Sequence, residues 1–255
     1  MIDSGAMRRS GIVLTALCLA LAACESKPAP NPFEAKKETK EPPPITEPPK
    51  PKGPPDFVVA EEGPKVGWTY ILLDKPEGRQ KLADEIAASK EFVSGKDVKL
   101  RVDRKAKLAH VEEMMRALET GGAAGFVVST ETRTEFPKTV RYAPLSAGRS
   151  AAGCSVVAKV LSERRNAVWS LKGGTAVRSP KGLAGPDMAM TGDSLEAAAR
   201  RCKESDAVFV SADADVEWGL LYDLAAATQI LEKAKLSKVI LVEPSPTAGR
   251  PVKLD

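Results

Sequence analysis

The uneven placement of proline divides this chain before any secondary structure is considered. Eleven of its 20 prolines lie between Pro28 and Pro55, interspersed with lysine and glutamate. Such a segment buries too little apolar surface to fold and favours extended polyproline conformations. We therefore expect residues 24–56 to form a disordered, semi-rigid linker with a maximal reach of about 100 Å. The alternative is a peptide ligand for a proline-binding partner.

The amino terminus has the pattern of an export signal. Arg8 and Arg9 precede the apolar run from Gly11 to Ala23, which is too short to cross a hydrocarbon core of about 30 Å. The run ends in Leu-Ala-Ala followed by Cys24, and this ending resembles the lipobox of bacterial lipoproteins. The resemblance implies removal of residues 1–23 and acylation of Cys24, which would anchor the protein to a membrane without spanning it. The alternative is an ordinary secretory signal in which Cys24 is incidental.

Export leaves two cysteines that could pair. Cys18 lies in the signal and Cys24 would carry lipid, so Cys154 and Cys202 remain in an oxidising compartment. They are candidates for a disulfide that closes a loop of about 49 residues, which the chain-entropy model values at about 4 kcal/mol. The alternative is two separate buried thiols.

Charge and composition exclude several functional classes. The net charge is +4, from 38 basic and 34 acidic residues, and no basic block could neutralise a run of phosphates, so we expect no nucleic-acid partner. His110 is the single histidine, whereas most zinc sites, catalytic triads and Cys/His dyads need imidazole. Asp213 and Asp215 begin a pattern typical of calcium loops, but Trp218 and Leu224 replace the required glycine and glutamate. We expect no metal, no cofactor and no catalytic residue; the alternative is a hydrolase that uses the two aspartates.

Beyond the linker, a pattern of strands and helices occurs twice, in a first copy (residues 57–135) and a second copy (residues 154–243). Apolar spacing in the first copy predicts strands at 68–74, 97–103 and 126–129, and helices at 79–89 and from Leu108 to Gly121, without an initial hairpin. In the second copy it predicts strands at 155–161, 167–171, 207–213 and 238–242, a helix capped by Asp193, and a helix at 218–235.

The two copies align at a nearly constant offset. Asp103 matches Asp213 at 110 residues, and Phe126 matches Ile240 at 114 residues. We therefore expect the second copy to carry about one extra helical turn.

The second copy resembles the periplasmic domain of the ExbD/TolR family of biopolymer transport proteins. The resemblance is carried by the strand from Val208 to Asp213 and by the residues that follow it, which match the family's strand, Ala-Asp turn and V-x-aromatic-Gly helix start: Asp215, Val216, Trp218 and Gly219. The segment from Leu231 to Val242 is similar to the family's last strand. The first copy keeps Val102 and Asp103 but lacks the aromatic-Gly pair.

The resemblance implies an α+β fold with two small domains, each with two helices packed on one face of a mixed β-sheet, followed by a tail at 244–255. It implies binding, as a homodimer, to partners of the ExbB/ExbD or TolQ/TolR type or to peptidoglycan, within an envelope transport or energisation assembly. The protein would be a lipid-anchored component facing the periplasm, on either the inner or the outer membrane. Because the apolar run holds no acidic residue, proton coupling is not implied. The alternative is a structural envelope lipoprotein that binds peptidoglycan or partner proteins without a proton-channel link.

Overall fold

A computed structural model of the chain describes residues 53–183, 185–231, 233–234 and 236–254. The predicted signal, Cys24 and most of the predicted linker lie outside the described residues. The first strand in the described part of the chain begins at Phe57.

The first copy contains five strands and three helices. Its elements are β1 (Phe57–Val59), β2 (Pro64–Val66), β3 (Thr69–Tyr70), α1 (Gly78–Ala88), α2 (Lys90–Val93), β4 (Asp97–Val102), α3 (Leu108–Thr120) and β5 (Gly125–Ser129). Strand β4 alternates exposed and buried residues, and α3 buries one apolar stripe, as their sequence patterns predict. The bounds of β4, α3, α1 and β5 agree with the predicted bounds to within one or two residues.

The start of the first copy differs from the prediction. A hairpin of β1 and β2 is present where none was expected, and only Thr69–Tyr70 of the predicted 68–74 strand is extended. Strands of three residues are too short to establish a period, and Gly63 before β2 together with Pro64 at its start resembles a continuation of the proline-rich linker. The hairpin therefore makes the first copy more complete than its sequence suggests.

The second copy has the same order of elements, except that α4 alone stands where the first copy has α1 and α2. Its elements are β7 (Val156–Val160), β8 (Asn166–Ser170), β9 (Val177–Arg178), α4 (Met188–Arg201), β10 (Ala207–Ala212), α5 (Trp218–Thr228) and β11 (Lys238–Leu241). The predicted cap at Asp193 is wrong, because the Asp187 carboxylate accepts a hydrogen bond of 3.0 Å from the Met190 backbone N–H and begins α4 earlier. The predicted extra helical turn is also wrong: α5 ends at Thr228, and the additional residues form the loop before β11.

The copies are joined by a strand that the sequence analysis did not predict. Strand β6 (Thr139–Ala143) and a short 3-10 helix (Leu145–Gly148) occupy the connection between them. Strand β6 pairs antiparallel to β5 and parallel to β11, so it fills the space between the two copies.

All the strands belong to one mixed sheet in the order β3-β2-β1-β4-β5-β6-β11-β10-β7-β8-β9. The equivalent strands of each copy follow one another in the same order within the sheet. Strand β5 is antiparallel to β6 and β11 is parallel to it, so the equivalent strands of the two copies run in opposite directions. The α+β class with a mixed sheet is confirmed. The copies do not form two separate sheets within the described residues, since they share this one.

Strand register corrects one of the predicted offsets. Val98 pairs with Phe126, and Val208 pairs with Val239, so Phe126 is equivalent to Val239 and the offset is 113 residues rather than 114. A shift of one residue would move the Phe126 side chain to the opposite sheet face. Phe126 and Val239 in fact belong to the same apolar core.

The two sheet faces are covered differently. Buried residues of all five helices share one apolar core on the same face. On the other face, a smaller core around Phe209 and Trp169 of the second copy is covered by Ala248, Val252 and Leu254 of the carboxyl-terminal segment and by the 3-10 helix. Cys154, just before β7, forms a disulfide with Cys202 at the end of α4.

Candidate functional site

The two copies meet where α3 and α5 begin. Lys107 and Glu217 form an antiparallel bridge, and these are equivalent positions because they lie 110 residues apart. The Trp218 backbone N–H donates to the Ala106 carbonyl at 3.1 Å. Pairing of equivalent positions indicates a local two-fold axis between the copies.

Trp218 fills the centre of this junction. Its side chain is fully buried, and its indole N–H donates to the Thr130 hydroxyl of the first copy at 2.8 Å. Its ring centroid lies 5.9 Å from that of Tyr142 on β6 and 6.4 Å from that of Tyr222. Val216 is buried beside it. Trp218 of the family-like motif therefore helps to hold the copies together.

Gly219 permits close approach of the two chains. Its backbone N–H donates to the Arg104 carbonyl at 2.8 Å. A Cβ atom at this position would lie 2.2 Å from Arg104 Cγ and 3.0 Å from the Arg104 carbonyl oxygen. Any larger residue therefore needs movement of Arg104.

Arg104 is itself held by an ion pair that the sequence analysis did not identify. Its guanidinium donates to both carboxylate oxygens of Asp223, at 3.1 and 2.6 Å, and the Asp223 side chain is only 3% exposed. The Thr132 hydroxyl donates to the same carboxylate at 2.6 Å. Hydrogen bonding to Asp223 raises the pKa of Arg104. The sequence feature that could have indicated this pair is Asp223, because it is the single acidic residue within the otherwise apolar sequence of α5.

The structure places Asp213 and Asp215 away from the junction, at the end of β10. The buried Lys159 ammonium lies 2.6 Å from Asp213, to which the Ser162 backbone N–H also donates at 2.8 Å. Burial acts to raise the pKa of Asp213, but the hydrogen bonds from Lys159 and Ser162 outweigh it and lower that pKa. The Ser162 hydroxyl donates to Asp215 at 2.6 Å, and Glu217 precedes α5. Both aspartates therefore organise the ends of β7 and β10.

A cleft of about 870 Å³ opens beside the junction, where β4 and β5 end. Ligands commonly bind at the carboxyl ends of parallel strands in α/β sheets. Its walls include charges of both signs, namely Glu61, Arg101, Lys105, Glu131, Lys138 and Glu217. Such a lining suits a polar or zwitterionic surface of a partner. Among the described residues, no group of three His, Cys, Asp or Glu side chains is placed to hold a metal ion.

A second charged group lies between α3 and the end of β11. Arg116 donates to the Glu243 carboxylate at 3.1 and 2.5 Å and to Glu113 at 2.7 Å. Burial raises the pKa of neighbouring Glu112 to about 7, and the negative charge of Glu243 adds to this effect while Arg116 opposes it. Glu112 therefore changes its charge near neutral pH.

Comparisons with known proteins identify no relative. The chain matches no protein-family model, and searches of the curated proteins and of the solved structures return no significant similarity. None of the helices in the described part of the chain has the length and apolar character needed to cross a bilayer. The resemblance to ExbD/TolR domains therefore rests on the motif residues and on the repeated order of elements.

We predict that Gly219→Ala lowers the free energy of unfolding by about 2 kcal/mol, because the added methyl group meets an Arg104 that Asp223 holds in place. The matched control is Gly192→Ala in α4, where the nearest atom outside the helix backbone lies 3.8 Å away. That variant should gain up to about 1 kcal/mol from helix propensity. Urea denaturation measures both, and equal effects of the two substitutions would contradict the close approach.

Asp223→Asn should lower the free energy of unfolding by about 3 kcal/mol, because it leaves the Arg104 guanidinium without its buried counter-charge. Asp97→Asn is the control, since Asp97 binds Arg141 with similar two-bond geometry at 2.9 Å but on the surface. It should cost less than about 1 kcal/mol. The two losses are compared by denaturant unfolding at low salt, and a loss at Asp97 as large as that at Asp223 would refute the assignment.

Glu112 gives a pH-dependent prediction. Its pKa rises from an ordinary 4.5 to about 7 on folding, so the folded state binds more protons between these values and stability falls as pH rises through that window. Glu112→Gln should raise the melting temperature at pH 8 and leave it unchanged near pH 4. Glu113→Gln, which loses the ion pair with Arg116, should give no gain at pH 8. Circular dichroism melts across this pH range distinguish the two variants.

Proposed function

We propose that this chain is a lipid-anchored protein of the bacterial cell envelope that faces the periplasm and binds components of a biopolymer transport or energisation assembly. In this proposal the two copies are ExbD/TolR-like domains fused through one sheet. The protein acts by binding and not as an enzyme.

The observation that carries the proposal is the bridge between Lys107 and Glu217. In a symmetric dimer of identical chains, equivalent positions on the two-fold axis hold the same residue, so a charged residue there would meet its own charge. Here the two equivalent positions carry opposite charges. This supports two family-like domains that pair within one chain, in the way two subunits of a dimer would pair.

The positions of the motif residues support a binding role. Trp218 and Gly219 bond to the first copy at the junction, while Asp213 and Asp215 are engaged by Lys159 and Ser162. Through these contacts, the motif residues position the start of α5 and the end of β10. The cleft beside the junction, with Lys105 and Lys138 in its walls, then becomes the surface offered to a partner.

One set of variants in the native host tests the anchor and the partner together. Cys24→Ala should abolish palmitate labelling and release the protein into the soluble periplasmic fraction, whereas Cys18→Ala should leave both unchanged.

A photoreactive residue in place of Lys105 should crosslink a specific envelope protein, and the same residue in place of the exposed Lys203, on the second copy, should not.

The identity of the crosslinked material distinguishes the candidate functions. A proton-channel subunit or a transmembrane ExbD-type protein supports the transport assembly. Recovery of cell-wall material alone favours a structural envelope lipoprotein that has no link to a proton channel. Unchanged labelling and fractionation of Cys24→Ala would refute the lipid anchor.

A further inference from the structure

Among the residues that the structure describes, no helix and no segment other than residues 54–56 lies against one sheet face of the first copy. Side chains of β1 to β6 that point away from the helices form this open face, and one row across it runs through paired strands: Tyr70, Lys65, Val58, Arg101, Ser129 and Thr139. A neighbouring row contains Lys99, Val127 and Arg141. Four basic side chains (Lys65, Lys99, Arg101 and Arg141) stand on the open face against the two acidic side chains of Asp56 and Asp97, of which Asp97 pairs with Arg141.

Three large apolar side chains project from the edge of the open face. Trp68 is 82% exposed, Tyr70 48% and Leu72 46%, at alternate positions along one short segment. The Lys65 ammonium lies 5.5 Å from the Trp68 ring centroid and 5.7 Å from that of Tyr70. Aromatic side chains beside lysine are characteristic of the headgroup region of membranes, where one end is apolar and the other is hydrated.

The corresponding face of the second copy has the opposite character. Phe209 stands where the first copy has Lys99, and the carboxyl-terminal segment covers it. Within the described residues, two copies of one fold thus differ at this face: one is apolar and covered by its own chain, and the other is basic and exposed.

The chain enters the folded part at the open face. Residues 54–56 and Phe92 border a hollow of about 390 Å³ that also contacts Lys99 and Arg101. The Gly67 backbone N–H, next to Trp68, donates to the Asp56 carbonyl at 2.8 Å. Whatever anchors the chain upstream of residue 53 is therefore connected to the edge that carries the exposed aromatic residues.

From this geometry we infer that the open face docks on the surface of a bilayer that contains anionic lipids. Lys65, Lys99 and Arg101 attract the headgroups, and Trp68 and Tyr70 enter the interfacial layer. The inference rests on the proposed function only for the lipid at Cys24, which would raise the local concentration of the domain near a membrane. The docking itself needs no lipid on the protein.

The test uses the polypeptide from Glu25 to Asp255, made without signal or lipid, so that only the protein surface can bind. Sedimentation with vesicles of phosphatidylcholine that contain about one-third phosphatidylglycerol should recover the protein, and vesicles of phosphatidylcholine alone should not. Arg101→Glu should lower the partition coefficient about tenfold, since it reverses one charge on the open face. High salt should weaken the binding of the unsubstituted protein.

Matched controls lie on the second copy. Arg201→Glu makes the same charge reversal at another exposed position, and it should leave most of the binding intact. Trp68→Ala should reduce binding several-fold, whereas Leu183→Ala, at a fully exposed apolar residue, should not. The four substituted positions, namely Arg101, Arg201, Trp68 and Leu183, are exposed, so circular dichroism should show that every variant folds like the unsubstituted protein.

Three results would overturn the inference. They are equal binding to both kinds of vesicle, an equal loss with Arg201→Glu, and a dimer in solution that Trp68→Ala dissociates, because a second copy would then be the occupant of the open face. Loss of palmitate labelling in Cys24→Ala bears only on the anchor. Failure of the anchor and failure of the docking surface are therefore separate outcomes.

Discussion

The ion pair between Arg104 and Asp223 is the interaction on which the junction depends. A carboxylate that is almost fully buried requires a counter-charge and hydrogen-bond donors, and Arg104 and Thr132 supply them from the first copy. The same Arg104 accepts the Gly219 backbone hydrogen bond, so its main chain and its side chain both hold the start of α5. Arg104 and Glu217 also line the cleft, so this contact lies beside its wall.

Periodic segments were predictable because burial determines their pattern. Strand β4 and helix α3 each bury one face, and the spacing of their apolar residues records it. The sequence also shows the repeat and the motif around Trp218. The hairpin of β1 and β2 was not predictable, since three-residue strands carry no period. Asp223 was missed because its partner Arg104 lies 119 residues away, and pairing at that separation depends on the packing of the two copies.

The register of the repeat shows why an alignment by residue type alone was insufficient. Matching Phe126 to Ile240 pairs similar side chains, but Ile240 faces the core that the carboxyl-terminal segment covers, whereas Phe126 faces the helices. Apolar residues occupy both faces of β11, so either alignment satisfies hydrophobicity. Only the hydrogen-bonded pairing of the strands decides between them.

The bridge between Lys107 and Glu217 has a consequence for stoichiometry. A symmetric dimer presents every surface twice, and a partner must either bind two equivalent sites or break the symmetry. A fused pair with different residues at equivalent positions presents each surface once. The basic open face of the first copy and the covered face of the second copy are an example of this divergence. In the proposed function, one chain therefore offers each of these surfaces once to an assembly.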